Sequence, residues 1–265
     1  MTYFNFLLIF VLAPALLLMA IYAILQKKRP TPTSRFLLHK LPWGIAVHVL
    51  LAVTYTTPWD NYLVATGVWT YNPDLVTGIL LGYVPIEEYT FFVLETILVG
   101  TLWGVLVKTF IPADTGTAAT EPNMRFNLAV SALLGAAWLF FTWQFFFGAD
   151  RWNYLGIIFF WALPPIILQA IFGADILWRY RGLVAASIFL PGTYLSLTDI
   201  IALTETTWQI SPTQTLGLNW FGILPLEEIT FFFITATLIT LGLTLFLSAE
   251  GQHRLQHYRH RLTNR

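Results

Sequence analysis

The sequence contains no cysteine, and only 11% of its 265 residues are charged. The first absence excludes disulfides, thiolate metal ligands and thiol nucleophiles. The chain also lacks a Gly-x-Gly-x-x-Gly dinucleotide fingerprint and an Asp-Asp-x-x-Asp motif that could hold Mg²⁺ and a diphosphate. Its formal net charge is zero, with no basic face. We therefore expect no metal, no flavin or nicotinamide cofactor and no nucleic-acid partner.

Apolar residues dominate what remains. Hydrophobic residues make up 57% of the chain and aromatic residues 17%. Runs of about 20 apolar residues, the length that crosses a bilayer core, recur along it and predict an integral, all-α membrane protein. The first run lacks a basic leader and a small-residue cleavage site, so we expect it to be retained rather than removed as a signal peptide. The predicted spans are seven: 4–25, 41–58, 76–107, 127–147, 153–173, 182–203 and 215–247.

The basic residues predict the orientation of these spans. With seven spans, all but one of the 14 Lys and Arg residues fall on a single side of the membrane. Only Arg151 falls on the other side. Because cytoplasmic loops carry the excess of Lys and Arg, the N-terminus is predicted outside and the C-terminus inside. The residues on the inner side are Lys27, Lys28, Arg29, Arg35, Lys40, Lys108, Arg125, Arg179, Arg181, Arg254, Arg259, Arg261 and Arg265.

One phrase occurs twice within the apolar sequence. Residues 82–92 spell GYVPIEEYTFF, and residues 222–232 spell GILPLEEITFF. Two adjacent carboxyl groups in hydrocarbon are costly, by roughly 2.5 kcal/mol or more each, so they indicate function by default. Pro85 and Pro225 are expected to kink or break their spans just before the acids.

The duplication extends beyond this phrase. Asp60 and Trp69 align with Asp199 and Trp208 at an offset of 139 residues. We predict a first three-helix repeat at 1–110, a linker helix at 111–150, a second repeat at 151–250 and a basic cytoplasmic tail at 251–265. The extra crossing of the linker makes the two repeats parallel, so both Glu pairs are expected at one depth.

The paired acids suggest proton chemistry in a dry site. Adjacent helix residues point about 100° apart, so the two Glu of a pair serve different directions. A desolvated carboxyl beside a second one keeps its proton at neutral pH, which suits general acid–base catalysis. Aromatic faces one turn away can stabilise a cation. The candidate catalytic residues are Glu87, Glu88, Glu227, Glu228, Asp60, Asp199 and Glu95. The candidate substrate-binding residues are Phe91, Phe92, Phe231, Phe232, Trp69 and Trp208.

Simpler explanations compete with catalysis. A buried Glu can serve only as a hydrogen-bond partner between helices, or as one step of a transport relay, although the inner halves of the spans hold almost no acids. Asp60 and Asp199 fit a structural helix-end role as well as a catalytic one. His48 is interpreted as a helix–helix hydrogen bond rather than a proton carrier. Interfacial anchoring accounts for part of the aromatic content, namely Trp59, Trp69, Trp152 and Trp208.

At these residues the chain resembles the membrane-integral lycopene cyclases. The resemblance rests on the duplicated Pro-x-Glu-Glu with trailing Phe-Phe, and on the segments at 58–61 (PWDN) and 67–71 (GVWTY). It covers nearly the whole chain, which looks like the fused form of a family whose halves are separate subunits in some bacteria. The phytoene synthase domain that fungi add is not expected. The second copy keeps only Asp199 of the 58–61 segment, at 197–200 (LTDI).

The resemblance implies a redox-neutral cyclisation of lycopene. A Glu would protonate the terminal C1=C2 bond, the C5=C6 bond would attack the resulting cation, and loss of a proton would leave a β-ionone ring. The implied partners are lycopene, the lipid bilayer and other enzymes of carotenoid biosynthesis, and the implied location is the cell membrane. A hydratase that adds water to the same cation, and a transporter or proton channel, remain the alternatives.

Overall fold

The computed structural model describes residues 1–28, 35–111 and 121–263. Arg29 and Arg265, which were counted on the inner side, lie outside these residues. The first helix, Tyr3–Lys28, contains a π-helical stretch at Leu7–Leu12. Two short 3₁₀ turns, Leu38–Lys40 and Asp150–Trp152, precede the helices that begin at Leu41 and Asn153. The helices in chain order are α1 (Tyr3–Lys28), α2 (Leu41–Ala65), α3 (Ile86–Phe110), α4 (Met124–Phe147), α5 (Asn153–Arg179), α6 (Arg181–Thr204), α7 (Leu226–Leu247) and α8 (Ala249–Thr263).

Within the described residues, six helices are long and apolar enough to cross a membrane: α1, α3, α4, α5 with its preceding turn, α6 and α7. The predicted span at 41–58 corresponds to α2, a helix of 25 residues that is not among the six. His48, Asp60 and several threonines lower the hydropathy of α2. Membrane insertion is thus supported by six helices, and the seventh span stays a prediction.

The predicted starts of two spans are wrong. Residues 76–85 and 215–225 are not helical, and α3 and α7 begin only at Ile86 and Leu226. Pro85 and Pro225 are the N-cap residues of these helices, so each proline breaks its predicted span just before the acids and no kink is formed within the helix. Proline suits this place because its missing N–H would have no partner in the first turn of a helix.

A small β-hairpin stands immediately before each of these two helices. Strand β2 (Leu80–Leu81) pairs with β3 (Val84–Pro85), and β5 (Asn219–Trp220) pairs with β6 (Leu224–Pro225). Each chain reversal contains a glycine in the left-handed region, Gly82 with φ 71° and Gly222 with φ 72°. A residue with a Cβ is strained in that conformation, which explains why the duplicated phrase begins with glycine.

Two further strands join the parts of the chain that follow α2 and α6. Strand β1 (Trp69–Tyr71) pairs antiparallel with β4 (Trp208–Ile210). In this register Trp69 lies opposite Ile210, and Tyr71 lies opposite Trp208. The pairing brings together residues 137 to 141 positions apart in the sequence. It lies near the N-terminal end of α3, where the hydroxyl of Tyr71 reaches Glu88.

Helices α3 and α7 form the interior of the helical bundle. The indole Nε1 of Trp103 in α3 donates a hydrogen bond of 3.0 Å to Oγ1 of Thr244 in α7. The predicted linker helix, α4, packs on α5 and leaves most of its surface exposed. The residues predicted as a basic tail continue as helix α8, which Arg254 fastens to α5 through a 2.8 Å salt bridge to Asp175.

Candidate active site

A narrow pocket lies between the β1–β4 pair and the first turns of α3 and α7, and three carboxyl side chains reach it. Its volume is about 30 Å³. That is room for a water molecule or two, so a substrate must widen it. We call it the acid pocket. It is lined by Tyr3, Phe6, Trp69, Tyr71, Glu88, Phe91, Leu195, Thr198, Asp199, Trp208, Ile210, Glu228, Phe231 and Phe232.

Glu88 and Glu228 both line the acid pocket, and they occupy equivalent positions at the starts of α3 and α7. Each is the third residue of its helix, counted from the residue after the N-cap proline. The first turn of a helix carries partial positive charge and unpaired N–H groups, which favours carboxyl groups there. Both side chains are buried, at 6% and 4% exposure. The duplicated motif therefore delivers one carboxyl group from each half of the chain to one pocket.

Tyrosines hold the two carboxyl groups unequally. Oε2 of Glu88 accepts hydrogen bonds from the hydroxyls of Tyr3 at 2.6 Å and Tyr71 at 2.9 Å. Oε1 of Glu228 accepts one from the hydroxyl of Tyr154 at 2.5 Å. Position 210, which aligns with Tyr71 at the offset of 139, is Ile and offers no donor. Glu88 is thus held by two phenols, and Glu228 by one.

Tyr71 lies on β1, outside the helices. Burial raises the pKa of its phenol well above the ordinary value of 10.0, and the neighbouring Glu88 raises it further. The phenol therefore keeps its proton throughout the physiological pH range and remains a hydrogen-bond donor to Glu88.

The two aspartates that align in the sequence have different surroundings. Asp199 is fully buried and lines the acid pocket, where its Oδ1 accepts a 2.9 Å hydrogen bond from Nε1 of Trp208. Asp60 is also buried, at 2% exposure, but it does not line the pocket. One oxygen of each, Oδ2, has no hydrogen-bond partner. Of the two, only Asp199 lines the acid pocket, whereas Asp60 lies near Glu88 but outside the lining of the pocket.

The first Glu of each pair points away from the pocket. Oε1 of Glu87 accepts a hydrogen bond from the backbone N–H of Thr77 at 2.6 Å, and Oε1 of Glu227 accepts one from Leu216 at 2.7 Å. Each of these carboxyl groups thus binds the backbone of the loop that precedes the hairpin in front of its helix. The expectation that the two Glu of a pair serve different directions is met, and it separates Glu87 and Glu227 from the acid pocket.

Glu95 and Phe92, predicted as site residues, line a neighbouring cavity and not the acid pocket. Oε1 of Glu95 accepts a 2.6 Å hydrogen bond from Oγ1 of Thr235, the residue that takes its place in the second copy. His48 lines the same cavity, and its Nδ1 is 2.7 Å from the carbonyl of Gly44 in its own helix. Nε2 of His48 lies against Gly242 of α7, so the predicted helix–helix hydrogen bond of His48 stays a prediction.

Aromatic rings form much of the wall of the acid pocket. The rings of Trp69 and Phe231 lie edge to face with centroids 5.6 Å apart, and those of Phe91 and Phe232 lie 6.1 Å apart. Trp69 and Trp208 are 5% and 9% exposed, so the expectation that they anchor the chain at the membrane interface is wrong. They are buried because β1 and β4 fold back over the helix ends.

The pocket unites eight of the thirteen predicted site residues: Glu88, Glu228, Asp199, Phe91, Phe231, Phe232, Trp69 and Trp208. The other five, which do not line it, are Glu87, Glu227, Asp60, Glu95 and Phe92. Tyr3, Tyr71 and Tyr154 were not predicted as partners of the acids. Tyr3 and Tyr154 each stand close to the start of the first helix of a predicted repeat, and this matched position was the available signal. Among the described residues no group of three or more His, Cys, Asp or Glu side chains is arranged to hold a metal ion.

Curated proteins similar to this chain are lycopene cyclases. It is 38% identical over 203 residues to a protein of Halobacterium salinarum named lycopene beta-cyclase, covering 77% of this chain and 81% of that protein. It is 33% identical over 238 residues to a bifunctional lycopene cyclase/phytoene synthase of Podospora anserina, covering 85% of this chain but only 40% of that protein. Neither a family model nor a solved structure matches the chain. At this identity and coverage, the chain belongs to the lycopene cyclase family.

Proposed function

We propose that this protein cyclises the linear ends of lycopene to β-ionone rings by acid–base catalysis in the acid pocket. The observation that carries the proposal is the convergence of Glu88, Glu228 and Asp199, from both halves of the chain, on one buried pocket with an aromatic wall. The names of the relatives supply the substrate.

The proposed reaction balances without an oxidant or a reductant. A carboxylic acid adds a proton to C2 of the terminal C1=C2 bond, which leaves a tertiary cation at C1. The C5=C6 bond attacks C1 and closes a six-membered ring, so the positive charge moves to C5. A carboxylate then removes the proton from C6, and a C5=C6 bond remains. Because C2 and C6 belong to the same ring, the acid and the base must face the same small volume, as Glu88 and Glu228 do.

The unequal hydrogen bonding suggests the roles of the two Glu residues. Two phenolic donors on one oxygen favour the charged form of Glu88, which suits it to stabilise the cation and to accept the final proton. Glu228 has one phenolic donor and has Asp199 in the same pocket. Two carboxyl groups in one site do not both ionise readily, so this pair retains a proton. We therefore assign Glu228 as the acid, with Asp199 as its proton-sharing partner.

The remaining residues would shape and protect the reaction. The faces of Phe91, Phe231, Phe232, Trp69 and Trp208 can stabilise the carbocation without capturing it. Tyr3 and Tyr71 orient the carboxylate of Glu88, and Tyr154 orients Glu228. Glu87 and Glu227 act as positioning residues that hold the hairpin loops, and Asp60 and Glu95 are outside the reacting volume.

The hydratase and the transporter are not favoured. The relatives' names contain cyclase and no hydratase activity, and most residues of the pocket wall are aromatic. A transport relay needs acids through the depth of the membrane, and the acids of this site gather at the first turns of α3 and α7. The relatives' names contain no transport activity.

We also propose the membrane arrangement that the sequence predicts. Helix α2 would be the seventh span, and two parallel three-helix repeats would flank the linker helix α4. The N-terminus would lie outside and the C-terminus inside a cell membrane, in reach of other enzymes of carotenoid biosynthesis. No cofactor would be needed. The matched hairpins before α3 and α7, and the equivalent bonds of Glu87 and Glu227, support the repeat.

Pigment analysis tests the proposed activity. The gene would be expressed in a host that accumulates lycopene, and the carotenoids would be separated by chromatography with mass spectrometry. Monocyclic or bicyclic carotenes of unchanged mass are expected, and the Glu228→Gln variant at equal expression should leave lycopene unconverted. A product heavier by one water would indicate the hydratase. Lycopene left unchanged by the unaltered chain would contradict both the cyclase and the hydratase activity.

A further inference from the structure

A second cavity lies beside the acid pocket, between helices of the two halves of the chain. Its volume is about 290 Å³, roughly ten times that of the acid pocket. An apolar cavity of about 150 Å³ is enough to hold a benzene molecule, so this cavity has room for a longer hydrocarbon segment. We call it the lateral cavity. It is lined by His48, Leu51, Ala52, Tyr55, Thr56, Phe92, Glu95, Thr96, Trp161, Pro164, Pro165, Leu168, Gln169, Thr235, Leu238 and Ile239.

The mouth of the lateral cavity lies at the outer surface of the helical bundle. Leu51 of α2 and Leu168 of α5 line the cavity and are themselves 54% and 68% exposed. Helix α5 is one of the six helices apolar enough to cross a membrane. Exposed leucines on such a helix face lipid, so the cavity opens sideways towards the hydrocarbon of the bilayer.

The helix backbone explains why there is space at this position. Pro164 and Pro165 lie inside α5 and line the cavity. Proline has no backbone N–H, and its ring prevents the helix from packing as regularly as other residues allow. The gap is bridged at one edge, where the hydroxyl of Tyr55 donates a 2.8 Å hydrogen bond to the carbonyl of Trp161.

The inner end of the lateral cavity adjoins the acid pocket. Phe92 lines the lateral cavity, and its ring centroid is 6.1 Å from that of Phe91, which lines the acid pocket. Adjacent rings of α3 therefore form the partition between the two spaces. The carboxyl group of Glu95 at this end is engaged by Thr235, which leaves a largely apolar surface for a ligand.

From this geometry we infer that the lateral cavity is the binding site for the linear polyene chain of the substrate and its entrance from the bilayer. The chain lies in the cavity, and its end group reaches Glu88 and Glu228 when Phe92 moves aside. The inference rests on the proposed function for the identity of the ligand. The inference adds a second binding site to the proposed function, because the acid pocket, at about 30 Å³, is too small to hold the polyene chain.

Lycopene retention by an inactive protein tests the site directly. The chain would be purified as the Glu228→Gln variant from a lycopene-accumulating host, and bound carotenoid per protein would be measured by its absorbance. Adding Ala52→Phe fills the cavity, and we expect retained lycopene to fall by about tenfold, equivalent to about 1.4 kcal/mol of binding free energy. Leu133→Phe is the matched control, because Leu133 lies on α4 with 74% exposure, and it should retain lycopene fully.

A second variant keeps the test valid if Ala52→Phe does not fold. Leu168→Trp changes the exposed mouth of the cavity, where folding tolerates a larger ring. In the active protein it should raise the KM for lycopene several-fold with little change in kcat, while a purely structural defect would lower kcat.

Two results would overturn the inference: full lycopene retention by the folded Ala52→Phe protein, or extraction of phospholipid instead of lycopene from the cavity of the unfilled protein. Failure of the proposed function gives a different result. The otherwise unaltered chain would then form no cyclic carotene, whatever the retention measurements showed.

Discussion

The two halves of the molecule present the same carboxyl group in the same place but surround it differently. Glu88 accepts hydrogen bonds from two phenols, those of Tyr3 and Tyr71. Glu228 accepts one from a phenol, that of Tyr154, because Ile210 stands where the counterpart of Tyr71 would be. A duplicated site is free to divide an acid–base reaction between its copies. In the proposed mechanism, this difference of one phenolic donor biases which copy carries the proton.

The neighbouring acids differ in the same direction. Asp199 lines the acid pocket, whereas its counterpart Asp60 does not. Glu95 in the first half is matched by Thr235 in the second, and the two bond to each other in the lateral cavity wall. The second half thus adds an acid to the pocket, and the first half places its extra acid next to the inferred chain site.

The largest effects are expected at the two facing Glu residues. Glutamine has nearly the same shape but can neither donate an acidic proton nor accept one as a carboxylate, so Glu88→Gln and Glu228→Gln should each lower kcat by about 10²-fold or more. Rates would be measured with reconstituted protein and lycopene. Full activity in either variant would remove that residue from the proposed mechanism.

The two aspartates test whether the two halves of the chain contribute unequally to catalysis. Asp199→Asn removes the proton-sharing partner proposed for Glu228, and we expect kcat to fall by about tenfold. Asp60→Asn, the matched change in the other half, should lower it far less because Asp60 does not line the pocket. Equal losses in the two variants would show that the halves are equivalent in this respect.

The phenols test the division of roles. Tyr71→Phe removes one of the two donors to Glu88, and a fall in kcat of about threefold to tenfold is expected, in line with about 1 kcal/mol for one hydrogen bond. Tyr83→Phe is the control, because Tyr83 is 63% exposed and close in the sequence. If both variants retain the same activity, the proposed bias between the halves has no support.

Changes at the first Glu of each pair are expected to lower stability by similar amounts and to affect activity less than changes at Glu88 or Glu228. Glu87→Ala and Glu227→Ala leave a backbone N–H without its acceptor, which should cost about 1–3 kcal/mol in stability. Thermal unfolding in detergent should show similar decreases in Tm for both. A loss of kcat as large as that of Glu88→Gln in a variant that still folds would place Glu87 or Glu227 in the chemistry.

No effect is expected from cofactors. Protonation followed by deprotonation leaves the oxidation level unchanged, so purified protein in lipid should turn over without flavin or nicotinamide and should tolerate chelators. The assay would compare identical samples that differ only in the added component. A strict requirement for reduced flavin would contradict the assignment of Glu228 as the proton donor.

Much of the site was predictable because it is encoded in short, local patterns. The duplicated phrase fixes where Glu88 and Glu228 stand on their helices, and the apolar runs predict the helices themselves. The two incorrect helix starts have a local cause as well. Proline and glycine at 85, 82, 225 and 222 specify a hairpin and an N-cap, which hydropathy alone does not distinguish from a longer apolar span.

The sequence alone predicts a mostly helical apolar chain, the repeated acids and the different directions of the two Glu in each pair. It predicts an all-α fold, however, and so misses the six short strands. Which acids meet depends on how the helices and strands pack. Packing of α3 beside α7 and the β1–β4 pairing bring Glu88, Glu228 and Asp199 to one pocket, send Glu95 and Phe92 to the next, and supply Tyr3 and Tyr154 from distant helices. Helical periodicity fixes the direction of a side chain on its own helix, but the neighbour it meets depends on how the helices pack.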